Sequence, residues 1–173
     1  MEGHARKTRF SITRSQATRR PVVIRPTPKF YQLTGGNQII ATLEEPSKLK
    51  NDSLFHEIPV ILNQDDQRTP NYKIIGGFNN NCVQVELSEQ LLASIEHHVE
   101  WVCLLTFTGF QFKYVSNNSK QKLLFALADE DAYCYCDKNP CEECRFKCKN
   151  GFAVYTYWQG EGIFGRDISS FGN

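Results

Sequence analysis

The 173-residue chain contains no apolar run that approaches the roughly 18 residues a helix needs to span a bilayer. Its first ten residues, MEGHARKTRF, are charged and include no hydrophobic stretch, so we expect no secretory signal peptide. These two absences indicate a protein that does not contact membranes. We therefore expect an intracellular location, in the nucleus or the cytoplasm.

Several catalytic motifs are also missing. The sequence has neither a G-x-S-x-G nucleophile motif nor a P-loop, and it contains four histidines. The stretch GEGIFG, from Gly160 to Gly165, matches G-x-G-x-x-G, but eight residues follow it. A dinucleotide-binding fold needs a helix at that point, so we interpret the stretch as a loop that lets Phe164 fold back onto the body.

Cysteine is the residue type that carries most of the chemical information. Five of the seven cysteines lie in YCYCDKNPCEECRFKC, which runs from Tyr133 to Cys148. Disulfides rarely persist in a reducing compartment, and an odd number of cysteines leaves at least one outside any intramolecular pairing. Metal binding and buried structural thiols are therefore the two interpretations of this stretch.

The spacing of these cysteines suits a zinc site. Asn139 can cap a short helix that begins at Pro140 and ends near Lys149. Cysteines at i, i+3 and i+7 of that helix would share one face, and another cysteine comes just before it, as a tetrahedral zinc site requires. The predicted zinc ligands are Cys136, Cys141, Cys144 and Cys148. In the alternative interpretation, Cys134 and Cys148 are buried core residues.

Charge is distributed unevenly along the chain. Eight Lys or Arg and one Glu give residues 1–30 a charge of +7, so the rest carries −6 to reach the overall +1. A basic arm on an acidic body is typical of proteins that contact phosphates. A solvated tail, a nuclear-import signal and contact with an acidic protein partner are alternatives. The residues predicted to bind nucleic acid are Arg6, Lys7, Arg9, Arg14, Arg19, Arg20 and Arg25.

The pattern of apolar residues predicts an α+β fold, with a mostly antiparallel β-sheet, one amphipathic helix and a short Cys-bearing helix. Residues 1–28 are predicted to be a disordered basic arm, and residues 29–173 a single zinc-stabilised domain. Ser88 can cap the amphipathic helix, in SEQLLASIEHHVEWVCLLTF. The predicted strands are a hairpin within 29–45 that turns at Gly35-Gly36-Asn37, and 56–62, 71–78, 82–87, 109–115, 131–136 and 152–158.

Two short motifs carry a resemblance to a known family. His98-x-Glu100 is followed downstream by Pro140-Cys141-x-x-Cys144, and in that order they resemble the zinc-dependent nucleobase deaminases, in particular the AID/APOBEC branch. HVEWVCLL is similar to the start of that family's first catalytic helix. The resemblance implies that His98, Cys141 and Cys144 bind zinc. It also implies that Glu100 moves a proton while zinc-bound water attacks the base.

Together these features predict a non-catalytic, zinc-stabilised domain that contacts nucleic acid, or a nucleic-acid-associated partner, through its basic arm. The alternatives are a zinc-dependent cytidine or adenosine deaminase, divergent or inactive, and a metal-free adaptor or structural protein. Whether the chain is an enzyme stays open at this point.

Overall fold

The fold is built almost entirely from β-strands. The computed structural model describes residues 19–22, 26–43, 53–75, 82–115, 122–135 and 148–168, and 53% of them are in strands. A central sheet has the strand order β5-β13-β12-β8-β9. All of its pairings are antiparallel except β5–β13. Its strands are β5 (Val60–Ile61), β8 (Val99–Leu105), β9 (Phe110–Tyr114), β12 (Phe152–Trp158) and β13 (Gly162–Ile168).

A three-stranded antiparallel sheet packs on each face of the central sheet. The first has the order β3-β2-β4 and the second the order β10-β7-β6. The strands of the first are β2 (Lys29–Leu33), β3 (Ile39–Thr42) and β4 (Phe55–Ile58). Those of the second are β6 (Asn71–Ile75), β7 (Cys82–Glu86) and β10 (Lys122–Ala126). A separate parallel pair joins β1 (Arg19–Arg20) to β11 (Cys134–Tyr135).

Alternating side chains of β12 supply both interfaces. Val154 and Trp158 are fully buried on the side of the second outer sheet, beside Val83 and Val85 of β7. Ala153, Tyr155 and Tyr157 are buried on the other side, with Phe30 of β2. Each large apolar side chain buried in this way stabilises the fold by roughly 1.5–3 kcal/mol. The seven buried residues of β12 therefore hold all three layers together.

The α+β prediction is wrong. Only Glu89–Leu92 (α1) of the predicted amphipathic helix is helical, and Ser88 makes no side-chain cap. Val99–Leu105 is strand β8, which is buried on both faces. A strand buried on both faces is apolar at nearly every position, so its residues also match helical spacing. In the part of the chain that the structure describes, no helix has the length and apolar character needed to cross a membrane.

The predicted Cys-bearing helix falls mostly on residues 136–147, outside the described ranges. Its C-terminal end is described, and Lys149 there forms a parallel β-bridge with Tyr135 rather than a helical turn. The predicted hairpin within 29–45 is confirmed as β2 and β3. It turns at Gly35, whose φ of +79° favours glycine.

The loop predicted at GEGIFG is also wrong, because Gly162 to Gly165 belong to strand β13. Gly160 has a φ of +74° in the turn between β12 and β13. Gly165 is needed for a different reason. A Cβ atom there would lie 2.8 Å from Val60 Cγ1 and 2.9 Å from Tyr155 Cδ1, closer than real contacts allow. Glycine at this position lets the β4–β5 segment approach the sheet.

Arg68 connects three loops at one end of the central sheet. Its guanidinium donates to Asp66 Oδ2 at 2.7 Å and to Glu161 Oε2 at 2.9 Å. The other oxygen of Glu161 lies 2.8 Å from His97 Nδ1. The carbonyl of Arg68 accepts a hydrogen bond from Trp158 Nε1 at 3.1 Å, so the network is anchored to the core.

We expect Gly165→Ala to lower the free energy of unfolding by about 1–3 kcal/mol, because the added methyl group overpacks the contact with Val60 and Tyr155. Urea unfolding measures the change. Gly36→Ala is the control, because its new Cβ would meet only the Leu33 side chain, at 3.3 Å from the flexible Cδ2 and 3.7 Å from Cβ and Cγ. That variant should change stability by less than about 0.5 kcal/mol. Equal stability of the two variants would contradict the proposed role of Gly165.

Glu161→Gln should lower stability at neutral pH by about 1 kcal/mol and flatten its decline in acid. Burial would raise the pKa of Glu161, but hydrogen bonds from His97 and Arg68 hold this pKa below its usual value of 4.5. The stabilisation is therefore complete above about pH 4.5 and is lost as the pH falls through the folded-state pKa. Urea unfolding from neutral to about pH 3 measures the decline. Glu96→Gln, at an exposed site, should keep the wild-type decline, and an unaltered decline in Glu161→Gln would refute the role of the network.

Candidate functional site

The two ends of the cysteine-rich stretch lie side by side. The backbone N–H of Tyr135 donates to the carbonyl of Cys148 at 2.9 Å, next to the bridge between Tyr135 and Lys149. Cys134 and Cys148 are buried, with 2% and 3% of their surface exposed. We call this pair of segments, Cys134–Tyr135 and Cys148–Lys149, the stem. Cys136, Cys141 and Cys144 lie between these two segments in the sequence.

Lys149 is the unusual residue of the stem because its side chain is fully buried. Its ammonium donates to the carbonyls of Asp131, at 2.7 Å, and Tyr133. Burial lowers the pKa of Lys149 to about 8, against the opposing influence of Cys134 and Asp131. A cation close to a thiol favours the thiolate, which is the form that binds metals and attacks electrophiles.

The predicted zinc ligands are described only in part. Cys148 lies in the stem, whereas Cys136, Cys141 and Cys144 fall outside the described residues. Within the described ranges, no group of three or more His, Cys, Asp or Glu side chains is placed to hold a metal ion. The sequence contains no sign that Lys149 is buried, because it stands in a Lys-rich and Arg-rich stretch that is typical of exposed residues.

The two residues that suggested a deaminase lie at the start of a strand. His98 is exposed and immediately precedes β8, and Glu100 is a half-buried residue of β8. The stretch HVEWVCLL, which resembles the start of a catalytic helix, is therefore the beginning of a strand. The other two residues of the motif, Cys141 and Cys144, lie outside the described residues, so the resemblance itself stays a prediction.

Part of the basic arm lies against the stem. Arg19 and Arg20 form β1, which pairs in parallel with Cys134 and Tyr135 of β11. The other residues predicted to bind nucleic acid fall outside the described residues, and they are Arg6, Lys7, Arg9, Arg14 and Arg25. Contact of the arm with nucleic acid or with an acidic partner stays a prediction.

A second candidate site is the outer edge of the central sheet. Strand β9 pairs with β8 on one side, and no strand of the described ranges pairs with its other side. Phe110, Phe112 and Tyr114 alternate along β9 and share one face. Their exposure increases along the strand, from partly buried Phe110 to 47% for Phe112 and 84% for Tyr114. An aromatic stripe thus runs from the core to the solvent.

Buried aromatic rings support this stripe from behind. Trp101 lies directly opposite Tyr114 in the β8–β9 pairing. The Trp101 ring is 5.3 Å from that of Phe112, edge to face, and 5.5 Å from that of Tyr157. Phe30 of the outer sheet stacks on Trp101 at 5.8 Å. Edge-to-face and offset contacts of this kind stabilise aromatic clusters, so the base of the stripe is firmly placed.

The opposite face of β9 is tied to the second outer sheet. Gln111 Nε2 donates to the carbonyl of Ala126 at 3.1 Å, and the ammonium of Lys113 lies over the Phe125 ring at 5.4 Å. The polar residues of β9 are therefore engaged with β10, away from the aromatic face. The alternation in FQFKY is the sequence signal that could have identified this edge.

A polar cleft of about 570 Å³ lies between the 64–69 loop and strands β7 and β10. Its main charges already have partners. Asp66 is bound by Arg68, and Glu86 accepts from Lys73 Nζ at 3.2 Å and from Gln84. Because these carboxylates are neutralised within the protein, they offer little unpaired charge with which the cleft could recognise a ligand.

Comparisons with known proteins support the fold. No known protein family and no curated protein matches the sequence. Among solved structures, the chain resembles the crystal structure of the superoxide reductase from Treponema pallidum, with a TM-score of 0.54 and 17% sequence identity. The match covers 81% of this chain and 98% of the superoxide reductase chain. At this level of identity the likeness concerns the fold alone.

The function predicted from the sequence is wrong. That prediction required a zinc-stabilised α+β domain that contacts nucleic acid, whereas the chain has a β-rich fold like that of a superoxide reductase. No zinc-binding group and no nucleic-acid-binding feature is found among the described residues. The α+β prediction failed at the amphipathic helix, because Val99–Leu105 is strand β8, whereas the predicted Cys-bearing helix lies mostly outside the described residues.

Proposed function

We propose that the chain is a recognition module that binds an extended segment of a partner protein as an added strand along β9. The observation that carries this proposal is the aromatic stripe on the sheet edge, with Phe112 and Tyr114 exposed on a strand whose outer side faces no described strand. A sheet edge offers a row of backbone donors and acceptors to an incoming strand. The activity of the superoxide reductase belongs to that protein and is not carried over by fold.

Sheet edges are normally protected against such pairing by charged residues, proline, bulges or short strands. Three other edges among the described strands show these features, and β3 (Ile39–Thr42) does not. Edge strand β5 has two residues, β4 carries His56 and Glu57, and β6 carries Lys73. On β9 the one charged residue, Lys113, is turned onto the Phe125 ring. Its aromatic face has no charged side chain, which favours a binding role over a purely structural one.

The rigid base makes this edge suitable for recognition. Phe112 packs on Trp101, and Trp101 packs on Tyr157 and Phe30. Side chains that are already ordered lose little conformational entropy when a partner binds. A strand paired with β9 would place alternate side chains opposite Phe112 and Tyr114. Cross-strand pairs with aromatic residues contribute roughly 0.2–1 kcal/mol each.

A library of seven-residue peptides displayed on phage tests the proposal, since β9 has five residues to pair with. We expect the enriched peptides to alternate apolar and polar residues. In calorimetry, Tyr114→Ala should weaken their binding about tenfold, because it removes the most exposed aromatic contact. N-methylation of the synthetic peptide at every second residue should abolish binding, because those amides pair with β9.

Leu124→Ala is the matched control, because Leu124 is 52% exposed on β10, which belongs to the second outer sheet and not to the central sheet. It should bind the peptides as tightly as the wild type. Ile40→Ala reports on the other apolar edge, β3, where Ile40 is 39% exposed. Peptides that respond to Ile40→Ala but not to Tyr114→Ala would overturn the assignment to β9. So would a selection that enriches no peptide.

A second candidate function is metal binding by thiolates at the stem. Cys134 and Cys148 are both buried there, beside the buried ammonium of Lys149, and burial lowers the pKa of Lys149 while the two cysteines raise it. These two thiols fit zinc as donors, but two of a tetrahedral set are all that the described residues offer. The remaining donors would come from the predicted ligands Cys136, Cys141 and Cys144. In such a site zinc would supply structural cross-linking.

Metal analysis of protein purified without added zinc tests this candidate. We expect about one zinc ion per chain, and a clear loss in Cys148→Ser. Cys82→Ser is the matched control, because Cys82 lies on β7 among the strands of the second outer sheet and should leave the zinc content unchanged. Folded wild-type protein without metal, or equal zinc content in all three proteins, would exclude a metal site at the stem.

A further inference from the structure

A cleft of about 430 Å³ opens where the aromatic stripe begins. Gly109 immediately precedes β9 and Leu105 is the last residue of β8, so the cleft lies at the turn between these two strands. Its lining is mostly apolar, with one carboxylate. Its lining includes Pro26, Leu43, Leu105, Phe107, Gly109 and Glu130. Because the cleft adjoins Phe110, an extended segment along β9 would pass its mouth.

The walls of the cleft are held in place by hydrogen bonds. Thr106 donates from its backbone and its hydroxyl to the carbonyl of Gly109, at 2.8 and 3.1 Å. Thr108 donates from its backbone and its hydroxyl to the two oxygens of Asp131, at 3.0 and 2.7 Å. The turn is therefore clamped on both sides. A preformed cleft binds a side chain without first having to order its own walls.

The floor and the rim of the cleft have different chemistry. Phe107 stacks on Tyr135 at 5.1 Å, which fixes an aromatic wall against the stem. Glu130 is exposed at the rim beside exposed Asp129. The carboxylate of the third acidic residue, Asp131, is occupied by Thr108. An apolar floor with a negative rim is complementary to a bulky apolar side chain next to a cationic one.

We infer that the segment recognised by β9 carries a bulky apolar residue and, two positions along, a lysine or arginine, so that both side chains lie on the same face of the added strand. Its apolar side chain occupies the cleft at the β8–β9 turn, and its cation faces Glu130. This inference rests on the proposed function and specifies its partner: the added strand supplies backbone pairing, and the cleft selects one side chain of that strand. The cleft then selects the side chain of the partner segment, whereas the sheet edge selects an extended backbone conformation.

Seven synthetic octapeptides test the inference. One is a frame of alternating valine and threonine, and the other six carry a leucine and a lysine two positions apart, moved along the frame one position at a time. We expect one position, or two neighbouring positions, to bind about tenfold more tightly than the frame alone, because leucine becomes buried at one register. Replacing Lys by Glu in the best peptide should weaken binding about threefold at low salt, and this difference should disappear at high salt.

Glu130→Lys should reverse the preference between the Leu-x-Lys and Leu-x-Glu peptides, and it leaves the backbone carbonyl bonded to Tyr135 in place. Glu96→Lys, at an exposed site elsewhere, should not reverse it. If all seven peptides bind equally and Tyr114→Ala weakens them all, the inference about the cleft fails while the proposed function stands. If no peptide binds, or if binding ignores Tyr114→Ala, the proposed function fails with it.

Discussion

Burial of both faces of β12 is the constraint on which the rest of the structure depends. One row of its side chains packs with Val83 and Val85 of β7, and the other packs with Phe30 of β2. Removing either outer sheet would expose a row of large apolar side chains, at roughly 1.5–3 kcal/mol for each. The three layers are therefore interdependent. The aromatic stripe on β9 is a continuation of one of these two buried faces.

The same constraint explains where sequence reasoning succeeded and where it failed. Strands that are half-buried, such as Cys82–Glu86, alternate cleanly and were predictable. FAVYTYW was predictable because it is rich in β-branched and aromatic residues. Val99–Leu105 was misassigned because burial on both faces removes the alternation that distinguishes a strand from a helix. The local sequence of a strand does not show whether a second sheet will cover the outer face of that strand.

The candidate sites show the same division between local and non-local information. Residues 109–115 were predicted as a strand, and the alternation in FQFKY is visible in the sequence. Whether Tyr114 faces solvent depends on which strand lies at the edge, and that follows from pairings between distant segments. The stem is similar. Five clustered cysteines were obvious, but the burial of Lys149 depends on the pairing of Tyr135 with Cys148 and Lys149 across the intervening residues.

The stem and the sheet edge are physically connected, which bears on how binding and stability are coupled. Lys149 donates to the carbonyl of Asp131, and the carboxylate of Asp131 accepts from Thr108 in the β8–β9 turn. Phe107 in that turn stacks on Tyr135 of the stem. The hydrogen bonds of Asp131 and the stack of Phe107 on Tyr135 are buried or partly buried. Loss of order at the stem would therefore loosen the turn from which β9 starts. Coupling of this kind requires a continuous set of contacts between the two sites, and the described residues provide one.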